Sequence, residues 1–246
     1  MRMIGTQAKG IRLPIIRKGD DLVEITVRSL LDACNKEEFE LNDGDIVGVT
    51  EAILAKAQGN YAHIDQISKD IEYKYHHGEV GIVFPIMSRN RFAVQLKAIA
   101  KGVERAFIQL SYPADEVGNP IISWDDIESK NINPYTDTLT EEQFRELFGI
   151  CKHPYTGIDY IDLYKNISDN ITIILSNDPR AILKYTKDVL VANVHDRKRT
   201  MNILKREKDV RILYGLDDIL SKPIDGSGFH PRYGLLGANK ATETEV

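Results

Sequence analysis

Cysteine is nearly absent from this chain. Cys34 and Cys151 are the only two in 246 residues, and neither stands in a CxxC or Cys/His spacing, so nothing suggests a zinc ribbon or a dithiol centre. A chain of this length buries enough apolar surface to need no disulfide staples. Both cysteines fall in helical apolar patterns and read as buried thiols of a reducing compartment. Concentrated basic charge is absent too. The formal net charge is −5 and the lysines and arginines are scattered, which argues against nucleic acid, whose phosphates favour a basic face. The densest basic run, Arg197-Lys198-Arg199, shares a helical stretch with apolar residues and reads as a solvated face. No apolar stretch approaches the roughly 20 residues that span a bilayer. Met1 to Gly5 carries no long apolar region and no cleavage pattern. No membrane partner is expected, and the expected location is cytoplasmic. Apolar residues at 42% and charged residues at 28% fit an ordinary folded chain rather than a disordered one.

The common nucleotide fingerprints are missing as well: neither GxxxxGK[ST] nor GxGxxG occurs. The histidines are isolated or cap helix ends, so no Ser/His/Asp or Cys/His constellation forms and no nucleophile is assigned. What the chain does have is periodicity. After an extended opening around Met3 to Gln7, Gly19-Asp20-Asp21 starts a helix with Val23, Val27, Leu30, Leu31 and Cys34 at helical spacing. Asn42-Asp43-Gly44 is a turn, and Asp45 to Thr50 reads as a buried strand. Ile64, Ile67, Ile71 and Tyr75 mark a helix that stops at His76-His77-Gly78. A strand from Val80 to Phe84, a helix with Phe92, Leu96, Ile99 and Val103 on one face, and a strand from Arg105 to Leu110 make a unit of βαβ length. Tyr112 to Pro134, rich in Pro, Gly, Asn and Asp, reads as a surface excursion or subdomain junction. A partial capping box at Thr140 opens a helix with Phe144, Leu147, Phe148 and Cys151 inward, and a further helix covers Tyr160 to Ile167. Strands at 171–175, 188–194 and 210–214 then alternate with helices at 178–185 and 196–206, the pattern of α/β layering.

Three segments in the first quarter form an ordered set. Ile11-Arg12-Leu13-Pro14-Ile15-Ile16 is an apolar loop pinned by proline, followed by the Asp20-Asp21 helix start. Gly44-Asp45-Ile46-Val47 comes next, then Ala55-Lys56-Ala57-Gln58-Gly59-Asn60. This set resembles the N-terminal part of the F420-0:γ-glutamyl ligase family. The resemblance implies an α+β fold with mixed sheets and interleaved subdomains. It also implies a homodimer and use of GTP and a divalent metal to attach glutamate to a carboxylate. The chain is accordingly expected to be one ligase-like unit over 1–246, with subdomains 1–135 and 136–246. By the resemblance, Leu13, Pro14, Ile15, Ile16 and Lys56 contact the nucleotide. Lys56 matches the lysine of the family's Ser-Lys-Ala-Glu-Gly-Arg segment, while Ala55 and Asn60 replace its serine and arginine and Glu51 takes the place of a hydroxyl residue. Read alone, Lys56 is also a solvated surface lysine.

Acyl-phosphate chemistry needs hard oxygen ligands for Mg²⁺ or Mn²⁺. The family's Gly-Ile-Asp falls on Ala98-Ile99-Ala100, and its Thr-Asp-Thr-x-Gly-Arg falls on Leu175-Ser176-Asn177-Asp178-Pro179-Arg180. Both aspartates are missing, and Asp178, two residues on, is the candidate metal ligand. Asp before Pro is equally a helix N-cap. Arg89 and Arg91, in Ser88-Arg89-Asn90-Arg91 between a strand and a helix, are candidate binders of an anion, or else belong to a solvated connector. The C-terminal glycines Gly226, Gly228, Gly234 and Gly237 fit either a loop that closes over a site or a flexible tail. The expected function is a GTP- or ATP-dependent amino-acid ligase joining glutamate to a small acidic metabolite. The alternative is a non-catalytic nucleotide- or metabolite-binding protein on the same scaffold, with the metal site lost.

Overall fold

A computed structural model describes residues 5–246; the extension expected at Met3 and Ile4 lies outside them. The chain forms two compact units, Met1–Asn60 and Tyr61–Val246.

In the first unit, the expected helix is α1 (Leu22–Lys36). The Asp21 carboxylate caps it by accepting the Glu24 N–H at 2.9 Å, which satisfies one of the orphan donors of the first turn. Among the described residues none of α1 is fully buried: Val23, Val27 and Leu31 are exposed, Leu30 and Cys34 half-buried. The expected strand at Asp45 to Thr50 is not one. The segment is irregular and exposed, with Ile46 94% accessible. A strand needs a neighbour for its backbone groups, and among the described residues this unit has no ladder to join. Asp45 instead accepts the Asn42 N–H at 2.9 Å, closing the preceding turn. The helix α2 (Glu51–Gln58) follows and ends at Gly59, whose φ of 67° is left-handed, a geometry glycine adopts without strain.

The second unit opens with α3 (Ile64–Tyr75), where His63 and Gln66 form a reciprocal capping box. Then come β1 (Glu79–Val83), α4 (Phe92–Lys101), β2 (Arg105–Leu110), α5 (Trp124–Ser129), β3 (Leu139–Thr140), α6 (Glu141–Phe148) and α7 (Tyr160–Lys165). The last third supplies β4 (Ile171–Leu175), β5 (Asp188–Val191), α8 (Arg197–Leu204) and β6 (Ile212–Gly215). The fold is α+β, and the sheets expected in the plural are one mixed sheet of six strands in the order β3-β4-β2-β1-β5-β6. It draws strands from both sides of residue 135. All neighbours are parallel except β3 against β4, and β1-α4-β2 is a parallel unit running from Glu79↔Arg105 to Val83↔Gln109.

Alternation splits the apolar side chains between two faces. Ile82, Ile108 and Ile173 join Ile71, Leu96, Phe144 and Tyr164 in the larger core. Val83, Phe107, Ile174, Val189 and Val191 pack on the other face with Ile182 and Leu204. The stretch expected as a helix over 178–185 is a tighter 3-10 turn, Pro179–Lys184. It lies so close that a Cβ on Gly81 would sit 2.3 Å from Ile182 Cγ1. Cys34 and Cys151 are only half-buried, and Cys151 falls beyond the end of α6. Among the described residues no helix is long and apolar enough to cross a membrane.

From β1 the chain moves to β2 and on to β4 on one side; β5 and β6 then fill the other side. The loops leaving the C-terminal ends of β1 and β5 therefore diverge. A crevice at such a reversal is where open parallel sheets bind ligands.

Candidate functional site

In the first unit, the Gly19 N–H donates to the Ala57 carbonyl at 2.8 Å. This holds the end of the proline-pinned loop against the last turn of α2, which carries Lys56. Ile16 and Ala57 are buried at this junction, and the Lys18 side chain covers Gly59, where a Cβ would meet its Cδ at 2.5 Å. Pro14, Ile15 and Lys56 are exposed and Leu13 is half-buried. Two segments some 40 residues apart in sequence are thus brought together, with Lys56 exposed on the last turn of α2.

Asp178 is differently placed. Its carboxylate accepts the Arg180 N–H at 3.0 Å, capping the 3-10 turn, and grips the Arg180 guanidinium at 2.8 and 2.9 Å. The hydrogen bond from Arg180 holds its pKa below the usual value for aspartate, against some burial. Ser176 is buried, its hydroxyl engaged by Thr138 at 3.0 Å. Ala98 and Ala100 are buried in α4. Among the described residues no group of three or more Asp, Glu, His or Cys could hold a metal ion. A divalent cation binds through several oxygen ligands, so these residues do not fit one held by this chain's side chains alone.

The 88–91 loop follows the C-terminal end of β1. Its first amide is engaged: the Ser88 N–H donates to the Tyr164 hydroxyl at 2.8 Å, and that hydroxyl donates to the Ile86 carbonyl at 3.0 Å. Burial raises the Tyr164 pKa far above that of a free tyrosine, so the hydroxyl keeps its proton. Arg91 is half-buried and donates to the Leu236 carbonyl, which ties α4 to the glycine-rich C-terminal segment. Burial lowers its pKa somewhat, opposed by the charge of Glu116. Arg89 is exposed.

The sequence reading missed the neighbouring pair Asp115-Glu116. Asp115 is buried and accepts N–H bonds from Met87 at 2.8 Å, Val117 at 3.0 Å and Asn119 at 2.8 Å, besides the Asn119 side-chain amide at 2.8 Å. Glu116 accepts from Val194, from His195 at 3.1 Å and from Asp196 at 3.0 Å. One loop thus sends a carboxylate to the loop after β1 and another to the loop after β5. No local signal in a Pro- and Asp-rich excursion reveals this, because the partners lie 28 and about 80 residues away.

A family model described as F420-0:Gamma-glutamyl ligase matches residues 10–246. No curated protein and no solved structure matches the chain. The match spans both units and far exceeds the N-terminal segments that first suggested it. The chain therefore belongs to the F420-0:γ-glutamyl ligase family.

Proposed function

We propose that this chain is a nucleotide-dependent amino-acid ligase of the γ-glutamyl type. The carboxylate of a small acidic metabolite takes the terminal phosphoryl group of GTP or ATP. The amino nitrogen of glutamate then attacks the acyl carbon and expels phosphate, leaving an amide, a nucleoside diphosphate, phosphate and a proton. The observation that carries the nucleotide part is the junction of the Leu13–Ile16 loop with the end of α2. It presents Lys56 beside an exposed apolar lip, fitting a phosphate and a base respectively. In the second unit, and read on its own, the exposed Arg89 is a cation for an anionic group. Mg²⁺ or Mn²⁺ enters this reading only as a companion of the nucleotide phosphates, the usual way such ions are held when protein carboxylates are few. The enzyme is read as a cytoplasmic homodimer, the dimer being supported by exposed apolar residues of the first unit such as Val23, Val27 and Leu31.

Titration calorimetry with GTP and ATP, with and without Mg²⁺, tests the nucleotide site. Lys56→Ala is expected to weaken binding by about 1–3 kcal/mol through loss of a charge-assisted phosphate contact. Equal affinities for the two proteins would remove Lys56 from the site. A second reading has its own support, since Ala100 and Ser176 stand where the family resemblance expects aspartates. It is a protein that binds nucleotide or metabolite without turnover. Nucleotide binding with no glutamate-dependent release of phosphate from any acidic acceptor would select it.

A further inference from the structure

Three arginines are partly buried among the described residues: Arg91, Arg145 and Arg197. Two of them have their charge answered. Arg145 grips Asp159 at 2.6 Å, and Arg197 grips Asp217 at 2.9 Å. Arg91 alone of the three has no carboxylate partner among the described residues, and its side chain makes one hydrogen bond, to the Leu236 carbonyl. A cation drawn out of water and left unpaired is costly. Holding Leu236 uses one of a guanidinium's several N–H donors and does not explain the charge, since a neutral donor would serve a carbonyl as well.

The unused nitrogens are open. Among the described residues, the side-chain polar atoms that are both buried and unpartnered lie on Thr26, Gln109, Asn170 and Asn193, not on Arg91. Its remaining N–H groups therefore lack a protein acceptor yet stay within reach of solvent. The group is also held still. Leu236 fixes part of the guanidinium, the Lys240 N–H ties the neighbouring Asn90 carbonyl at 2.8 Å, and Tyr164 holds Ser88. A fixed planar fork suits two oxygens side by side, and pre-positioning lowers the ordering cost of binding. The charge of Glu116 acts on Arg91 without pairing with it, which favours a singly charged carboxylate over a phosphate carrying about two charges. The loop follows β1, one of the two strands between which the sheet's order reverses, the edge at which open parallel sheets take ligands.

We infer that Arg91 binds a carboxylate of one of the two acid substrates, with the 236–240 segment holding it in place. The identity of the acid rests on the ligase reading, whereas the anion site rests on Arg91 itself.

Titration calorimetry and thermal unfolding of the full chain, Arg91→Lys and Arg91→Gln test this with L-glutamate, glutarate and inorganic phosphate, and GTP is titrated separately. Arg91→Lys keeps a donor and the charge but not the fork; Arg91→Gln keeps a donor and loses the charge. The wild type is expected to bind at least one of the two acids more tightly than phosphate, and to unfold at a higher temperature in its presence. Arg91→Gln should bind that acid about tenfold more weakly or worse, with Arg91→Lys in between, and the acid should no longer raise the unfolding temperature of Arg91→Gln. Arg91→Lys alone decides if Arg91→Gln does not fold. A purely structural role predicts the opposite pattern, lower stability without ligand and unchanged acid affinity. A response confined to L-glutamate assigns the site to the amino acid, and one confined to glutarate assigns it to the acceptor. Equal acid affinity in the three proteins overturns the site, as does phosphate bound more tightly than either acid, or no binding of either acid by the wild type. GTP binding alongside such a failure leaves the ligase reading standing without this site. The Arg91-dependent acid pattern without GTP binding keeps the site and removes the nucleotide dependence.

Discussion

The two units of this chain fold by different means. In Tyr61–Val246 the sheet is packed on both faces, and helices such as α4 bury nearly every residue they have. In Met1–Asn60 only Ile16 and Ala57 are buried among the described residues, and α1 runs fifteen residues without burying one. Yet α1 has the better local signals: an Asp cap, an acidic first turn and a basic last turn. Local chemistry is enough to fix a helix's start and stop, but tertiary burial supplies most of a helix's stability. The same separation holds for strands. β1 and β2 pair because each brings the other a partner, whereas 45–50, with comparable strand composition, finds none among the described residues.

This contrast predicts where substitutions cost most. The largest effect is expected at Arg145, whose guanidinium bonds the buried Asp159 carboxylate at 2.6 and 3.0 Å and reaches Asp162 at 2.6 Å. Arg145→Ala leaves Asp159 buried without its cation, and a loss of about 3–5 kcal/mol is expected by denaturant unfolding. Burial pushes the Asp159 pKa up, but Arg145 and the surrounding N–H donors outweigh it, and the folded value lies below the ordinary 3.8. A depressed carboxyl stabilises the fold above its unfolded pKa and ceases to as pH falls through the folded one. The wild type should therefore lose this contribution below about pH 4, and the variant's stability should fall less over that interval. A parallel fall in both proteins would mean that the pair does not set acid stability. A smaller loss is expected for Tyr164→Phe, about 1–3 kcal/mol, because the Ser88 N–H loses its acceptor in a partly buried place. An unchanged midpoint would show that water replaces the hydroxyl.

Most of the second unit was legible from periodicity, since strands such as 105–110 and 171–175 alternate between two packed faces. The capping box at Thr140 likewise forms as its spacing suggests. Element ends were less legible. β5 stops at Val191 because the chain turns there to offer its amides to Glu116, a residue from another loop. The site was less legible still. Arg89 and Arg91 look alike in sequence, yet one is exposed and the other is pinned to Leu236 by a segment 145 residues away. Asp178-Pro179-Arg180 carried two meanings, and the structure shows the cap and ion pair. Glu116 had no local signal, because what marks it is a set of remote amides.

The smallest effect on stability should come from the exposed apolar face of α1. Val23, Val27 and Leu31 recur every four residues and form one continuous stripe along α1, at 74%, 51% and 51% exposure. Replacing Val27 and Leu31 by glutamine removes apolar surface that water already touches and keeps good helix formers in place. Unfolding of the dilute chain should change by less than about 0.5 kcal/mol, as for ordinary surface positions. At higher protein concentration the same pair should matter. If a second copy covers the stripe, the wild type gains stability with concentration by mass action, and the double variant loses that gain. Sedimentation velocity on both proteins reads the association directly. A large loss of stability at dilution would instead show that the stripe is covered within the chain. Unit one would then fold by burial, as unit two does, and the contrast between them would fail.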